Sequence, residues 1–262
     1  MTAVDFDAFV HQLATVSGEA ILPFFRTTLG IEDKGAGRGF GFDPVTEADR
    51  AGEQAMRSLI RSTFPAHGII GEEFDNVPAE GPYTWALDPI DGTKSFIAGL
   101  PAWGTLIGLL KEGDPVYGMM HQPFIGERFF GDGGVARYLG PAGERILATR
   151  ACDRLEDAVL YTTSPRLMEA EDLAAFSTVE ERVRLSRYGG DCYAYCMVAA
   201  GLIDLVIETG LQDHDVIALV PIIEGAGGIV TSWEGGSPVA GGRVVAAGSR
   251  KVHEAALRQL GA

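Results

Sequence analysis

The amino-acid sequence predicts an α/β (α+β) protein in two halves, residues 1–148 and 149–262, and three observations carry that expectation. Apolar residues recur at helical spacing in the N-terminal segments. Short apolar runs between residues 104 and 139 are separated by Gly and Pro turns, the pattern of an antiparallel meander. From about residue 150, strand-like runs alternate with helical ones, the rhythm of an α/β layer.

In the first half, Phe6, Val10, Leu13, Ile21, Phe24 and Phe25 mark an amphipathic helix within residues 4–27. Lys34–Phe42 is Gly-rich and polar, a loop. Thr46 has the chemistry of an N-cap for a helix through about Thr63, stopped by Pro65. Apolar runs at Gly68–Gly71 and Tyr83–Leu87 both end in acids, and Gly104–Leu110, Val116–Gln122, Arg128–Gly131 and Ala136–Leu139 form the meander. In the second half, strands are expected at Val159–Thr162, Val183–Ser186, Ile203–Glu208, Gly228–Ser232 and Val244–Ala247. Helices are expected at Pro165–Phe176, Asp191–Ala200, Asp215–Glu224 and Lys251–Leu260, the third kinked by Pro221.

Hydrophobic residues make up 46% of the 262 and charged residues 22%, ample for a core. The net charge of −15 works against nonspecific binding to nucleic acid or to an anionic membrane. Cys152, Cys192 and Cys196 have neither a disulfide framework nor zinc spacing, and read as buried thiols. Met1–Asp7 carries acids and no basic n-region, and the apolar run Gly201–Ile207 is too short to span a bilayer. A cytoplasmic enzyme is expected, with neither nucleic acid nor membrane as partner.

The chemistry concentrates in Trp85–Thr93 (WALDPIDGT). Pro89 biases Asp88 to an extended backbone, so its carboxylate should leave the end of the strand, and Asp91 follows in the turn. Gly92 and Thr93 offer backbone N–H groups to an anion, with Thr93 as cap of a short helix. Oxygen-only donors suit magnesium or manganese, and a cation beside an oxyanion seat is equipment for hydrolysing a phosphate ester. The D-x-D-G-T motif of haloacid-dehalogenase-like phosphatases sets two acids on one strand face, the first a nucleophile. Here the spacing is D-x-x-D, which separates the faces, so direct attack by a metal-activated water is expected rather than an aspartyl-phosphate.

With Gly71-Glu72-Glu73 before it and Asp215 and Gly225–Gly228 after it, Trp85–Phe96 (WALDPIDGTKSF) resembles the inositol monophosphatase-like magnesium-dependent phosphatases, over roughly residues 34–233. The resemblance implies a layered αβαβα sandwich of the inositol monophosphatase/fructose-bisphosphatase type, two or three Mg2+ ions (Mn2+ as a substitute) and a homodimer. By position, Glu72, Asp88 and the carbonyl of Ile90 would hold one ion and Asp88, Asp91 and Asp215 a second, with Asp88 bridging; a third would sit near Glu72 through waters. Asp49, matching the family's V-T-x-x-D, would orient and activate the water with Thr93. Glu72 completes this catalytic set, Glu73 supports it, and Gly92 and Thr93 bind phosphate. Lys34 approximates a lysine common in the family.

Substrate choice should lie in the second half, because metals read only the phosphate. Inositol monophosphatases tend to have a small Gly-Ser-Ala stretch where this chain has Gly190-Asp191-Cys192. Asp191 and Glu208 would present two carboxylates to the leaving alcohol, favouring an amine over a neutral polyol. Arg187–Tyr195 (RYGGDCYAY) together with Gly92–Ile107 resembles the histidinol-phosphatase branch, implying conversion of L-histidinol phosphate and water to L-histidinol and phosphate in histidine biosynthesis. Asp191 and Glu208 are then the amine-recognising residues, with Arg187 as an orienter or phosphate neighbour. An inositol-1-monophosphatase or a broad sugar-phosphate phosphatase shares the same metal core. A non-catalytic metal-binding relative is disfavoured by the presence of Asp49, Glu72, Asp88, Asp91, Asp215 and Thr93 together.

Overall fold

Period-two alternation along the strands decides which layer each side chain enters. The computed structural model describes residues 6–27, 31–33 and 44–261; Lys34 and the Lys34–Phe42 loop lie outside the described residues. The first half runs α1 (Phe6–Ile21), β1 (Ile31–Asp33), β2 (Pro44–Thr46), α2 (Glu47–Thr63), β3 (Gly68–Gly71), β4 (Tyr83–Asp91), α3 (Thr93–Ile97), β5 (Gly104–Lys111), β6 (Asp114–Gln122), β7 (Glu127–Gly131), β8 (Ala136–Gly140) and β9 (Gly143–Ile146). The second runs β10 (Val159–Thr162), α4 (Ala170–Glu180), β11 (Leu185–Tyr188), α5 (Asp191–Ala199), β12 (Leu205–Leu211), α6 (Asp213–Val216), α7 (Leu219–Gly225), β13 (Ile229–Ser232), β14 (Gly242–Ala247) and α8 (Arg250–Leu260).

β3 to β9 form a seven-stranded sheet in sequence order, antiparallel except for the parallel β3–β4 edge. The other large sheet has the order β11-β10-β12-β14-β13, parallel around β10 and antiparallel around β14. Leu106, Met120 and Phe129 face α5 and α7 in the middle layer, while their neighbours Ile107, Met119 and Phe130 pack under α1 and α2. On the five-stranded sheet, Val206 and Ala246 point to that same middle layer; Leu205, Ile207, Val245 and Ala247 pack with α4 and α8. The result is the expected αβαβα sandwich, and all three cysteines are buried in it.

Three local differences bear on the site. β4 does not end at Leu87 but continues through Asp91. The helix expected at Asp215–Glu224 is two, α6 and α7, because Pro221 has no N–H for the Ile217 carbonyl one turn before it; the chain breaks at Ile217–Ala218, and Pro221 falls in the first turn of α7, where it is tolerated. β11 starts two residues later than expected and runs through Tyr188. β9, wholly exposed and without an apolar alternation, carried no sequence signal.

Candidate active site

Opposite β5, Asp88 pairs with Leu106 and Asp91 with Gly104, so three steps along β4 match two along β5. This bulge absorbs one residue and cancels the odd spacing of D-x-x-D, turning both carboxylates to one side. The expectation that the two acids cannot share a face is therefore corrected: it holds for a regular strand and fails at a bulge. The bulge is fixed from within, for the Ile90 N–H donates to Asp88 Oδ1 at 3.0 Å and the Thr105 hydroxyl donates to the Pro89 carbonyl at 2.8 Å. Asp215, in the first turn of α6, completes the group through a capping box in which the Gln212 N–H donates to its Oδ2 at 2.7 Å. Asp88, Asp91 and Asp215 each offer an oxygen within 4.8 Å of the others.

A second acidic group stands beside the first. Asp49, buried on α2, meets Glu72 and Glu73 just beyond β3, again with oxygens within 4.8 Å of one another. Burial, then the charges of Glu72, Asp91, Asp215 and Asp49, push Asp88 well above the usual carboxylate range. Burial, then Asp191 and Asp215, do the same to Asp91, and Asp215 is raised chiefly by burial. Buried acids that raise one another in this way are short of positive charge, which the His214 ring offsets only in part at Asp215. Oxygen-only donors around such a deficit fit a hard divalent cation.

The turn that follows is held by backbone conformation. Gly92 has φ +85°, and a Cβ there would come within 2.9 Å of the Ala102 carbonyl, so glycine is required. Gly92, not Thr93, is the cap of α3; Thr93 is its first residue, and its hydroxyl donates to the Ile90 carbonyl at 3.1 Å. That bond occupies one face of the oxygen expected to face a metal.

The sequence matches the inositol monophosphatase family over residues 3–262. The chain belongs to that family. It is 46% identical to the bifunctional phosphatase IMPL2, chloroplastic, of Arabidopsis thaliana, over 97% of this chain and 75% of that protein. It is 34% identical to a histidinol-phosphatase of Mycobacterium tuberculosis, over 84% and 85%. The solved structure of an inositol monophosphatase from Zymomonas mobilis superposes with a TM-score of 0.85 at 37% identity, covering 98% of this chain and 99% of that one. The protein is thus a phosphomonoesterase of a magnesium-dependent family, and its two acidic groups are consistent with metal sites.

Beyond the acids, a cavity of about 360 Å³ opens between the sheets, lined by Glu72, Asp91, Thr93, Asp191, Glu208 and Asp215. The Cys192 N–H donates to Asp91 Oδ2 at 2.5 Å, joining α5 to β4. Asp191, at φ +43°, opens α5 after two left-handed glycines, and its Oδ2 accepts from the Ser95 hydroxyl at 3.3 Å. Glu208 is buried: its Oε1 accepts from the Thr163 N–H at 2.8 Å and hydroxyl at 2.5 Å, and its Oε2 from the Tyr195 hydroxyl at 3.1 Å. Burial, with Asp191 adding, raises Glu208 to about 7. The ring of His214 stands between Asp213 and Asp215, 3.3 and 3.7 Å from their oxygens.

Asp191 and Glu208 therefore reach the cavity, whereas Arg187 does not line it: β11 is the edge strand, and Arg187, exposed there, is paired in register with Tyr161, two residues before Thr163. The expected place of Arg187 beside the phosphate therefore draws no support from the cavity lining. Ser95, Thr163 and Tyr195 organise the site and escaped the sequence reading. Only Tyr195 left a trace, four residues after Asp191 and so on the same face of α5.

Proposed function

We propose that this phosphatase hydrolyses L-histidinol phosphate to L-histidinol and phosphate. The observation that carries the reading is Asp191, a carboxylate in the cavity beside Glu208 and next to the phosphate turn, where a primary ammonium on the leaving alcohol is the natural partner. The similarity to proteins named histidinol-phosphatase supports it. Glu72, Asp88 and the Ile90 carbonyl would hold one Mg2+, and Asp88, Asp91 and Asp215 a second. Bound there, the ions would neutralise charge on the entering and leaving oxygens and make a water acidic enough to attack.

The remaining steps belong to the chain. Gly92 and Thr93 seat the phosphate through backbone N–H groups. Asp49, assisted by Thr93, orients the attacking water and takes its proton. As the new P–O bond forms, the ester P–O bond opposite breaks, the departing alkoxide takes a proton from solvent water, and Asp49 returns its own proton to solvent. Asp191 and Glu208 hold the amine end of that alcohol. A homodimer in the cytoplasm is part of the same reading; among the described residues, no helix is long and apolar enough to cross a membrane.

Phosphate release from histidinol phosphate and inositol-1-phosphate, side by side with magnesium, tests the reading. Preference for the former, lost in Asp88→Asn, is expected. Preference for inositol-1-phosphate would retain the metal site and overturn the substrate; that reading is favoured by the similarity to the Zymomonas protein named an inositol monophosphatase.

A further inference from the structure

Asp49 begins a stripe along α2 that continues through Glu53 and Arg57, each one turn further on. Both residues are buried, Glu53 at 0% exposure and Arg57 at 3%. A buried ion pair adds little net stability and can be exchanged for apolar residues without loss, so its presence asks for another explanation.

What the pair holds is the loop that carries Glu72 and Glu73. Arg57 Nε donates to Glu53 Oε1 at 2.6 Å. Its two terminal nitrogens donate to the Phe74 and Asp75 carbonyls, both at 3.0 Å. The Glu73 N–H donates to Glu53 Oε2 at 2.7 Å. Three successive loop residues are thus tied through their backbones to one ion pair. On the other side of Glu72, a Cβ on Gly71 would lie 2.1 Å from Glu53 Oε1, so the pair closes on the loop only because residue 71 has no side chain. The Gly71 N–H is itself bound by Asn76 Oδ1 at 3.2 Å. Glu72 is flanked by two fixed residues, and the rod that fixes them is the helix that carries Asp49.

We propose that Glu53 and Arg57 are positioning residues: their ion pair sets Glu72 and Glu73 at the distance from Asp49 that gives this end of the site its affinity for a divalent cation. The proposal rests on the metal half of the reading above and not on the substrate. Lysine at position 57 would keep the charge, but one ammonium lacks the planar fork that reaches a carboxylate and two carbonyls together.

The test is a Mn2+ titration without substrate, followed by electron paramagnetic resonance, on the wild-type protein, Arg57→Lys and, as reference for the other acids, Asp215→Asn. Arg57→Lys should weaken one class of Mn2+ sites tenfold or more and leave the class that Asp215→Asn abolishes within twofold. Its Mg2+ activation constant should rise while kcat at saturating Mg2+ stays near wild type. A lowered melting temperature with both classes unchanged, or both classes weakened together, would overturn the proposal. Should Arg57→Lys not fold, the double variant Glu53→Met/Arg57→Met, which keeps volume and removes both charges, supplies the same comparison. A wild-type protein that binds no Mn2+ refutes the metal reading and the clamp with it. Mn2+ binding without hydrolysis of histidinol phosphate refutes the substrate alone.

Discussion

The two ends of the cavity are held by opposite means. At the phosphate end, the carboxylates are set by the β4 bulge, the α6 capping box and the loop that the Glu53–Arg57 pair ties down after β3, and their charges repel one another. At the leaving-group end, Asp191 and Glu208 are already satisfied by hydroxyls from Ser95, Thr163 and Tyr195. The first end gathers more carboxylates than cationic side chains and is poised for a divalent ion; the second rests in hydrogen bonds that side-chain changes can retune. Chemistry common to a family can be kept in the first while substrate preference drifts in the second.

The largest expected effect breaks the first end. Asp88→Asn should lower magnesium-dependent phosphate release by roughly a thousandfold, since it removes the acid shared by both proposed ions. In the absence of metal, the same change should raise the melting temperature at neutral pH. Asp88 is held well above the usual carboxylate range by burial and by neighbouring acids, so its ionised form destabilises the fold and an amide relieves that. Lost activity with a lowered melting temperature would show instead that the carboxylate supports the fold.

Next comes the leaving-group end. Asp191→Asn should reduce kcat/KM for histidinol phosphate by about 10- to 100-fold, the worth of a hydrogen bond to a charged group, about 1.5–3 kcal/mol. Asparagine tolerates the left-handed backbone there, so folding should survive. Use of p-nitrophenyl phosphate, which has no amine, should change less than threefold. Equal losses on both esters would refute recognition by Asp191.

Much of this contrast was legible in the sequence, and unevenly. The acids of the phosphate end stand in fixed motifs, so Glu72, Asp88, Asp91 and Asp215 could be picked out without coordinates. The bulge that lets Asp88 and Asp91 converge could not, because a bulge is a relation between two strands and β5 gives no sign of it. Pro221 announced an interruption, but the break falls four residues earlier, at the carbonyl that loses its donor. At the other end, Asp191 stood out against the small Gly-Ser-Ala stretch of inositol monophosphatases, with Glu208 as its companion carboxylate. Thr163 and Ser95 did not, since a hydroxyl is common in any loop and gains meaning only from the carboxylate opposite it.

A pH effect of intermediate size sharpens the difference further. Glu208, raised to about 7 chiefly by burial, is largely neutral below that value and charged above it. The KM for a cationic substrate should therefore fall as pH rises through about 7, and Glu208→Gln should flatten that profile. The linkage sign runs the other way for stability. With the folded pKa above the unfolded value of about 4.5, the folded state binds more protons, so the contribution of Glu208 to stability is greatest at low pH and is lost as pH rises from about 4.5 through 7. A KM that rises with pH over this range would exclude Glu208 as a partner of the amine.

The smallest effect is expected at Arg187. On the exposed edge strand, it is paired with Tyr161 and does not line the cavity. An exposed charge outside the cavity lining acts on a substrate through screened solvent, worth a few tenths of a kcal/mol or about a factor of two in rate. Arg187→Ala should accordingly leave kcat/KM for histidinol phosphate within twofold at 0.15 M salt. A tenfold loss would mean that Arg187 serves a cavity other than the one its own chain lines, and sedimentation of the wild-type protein would then show whether a second copy is there to receive it.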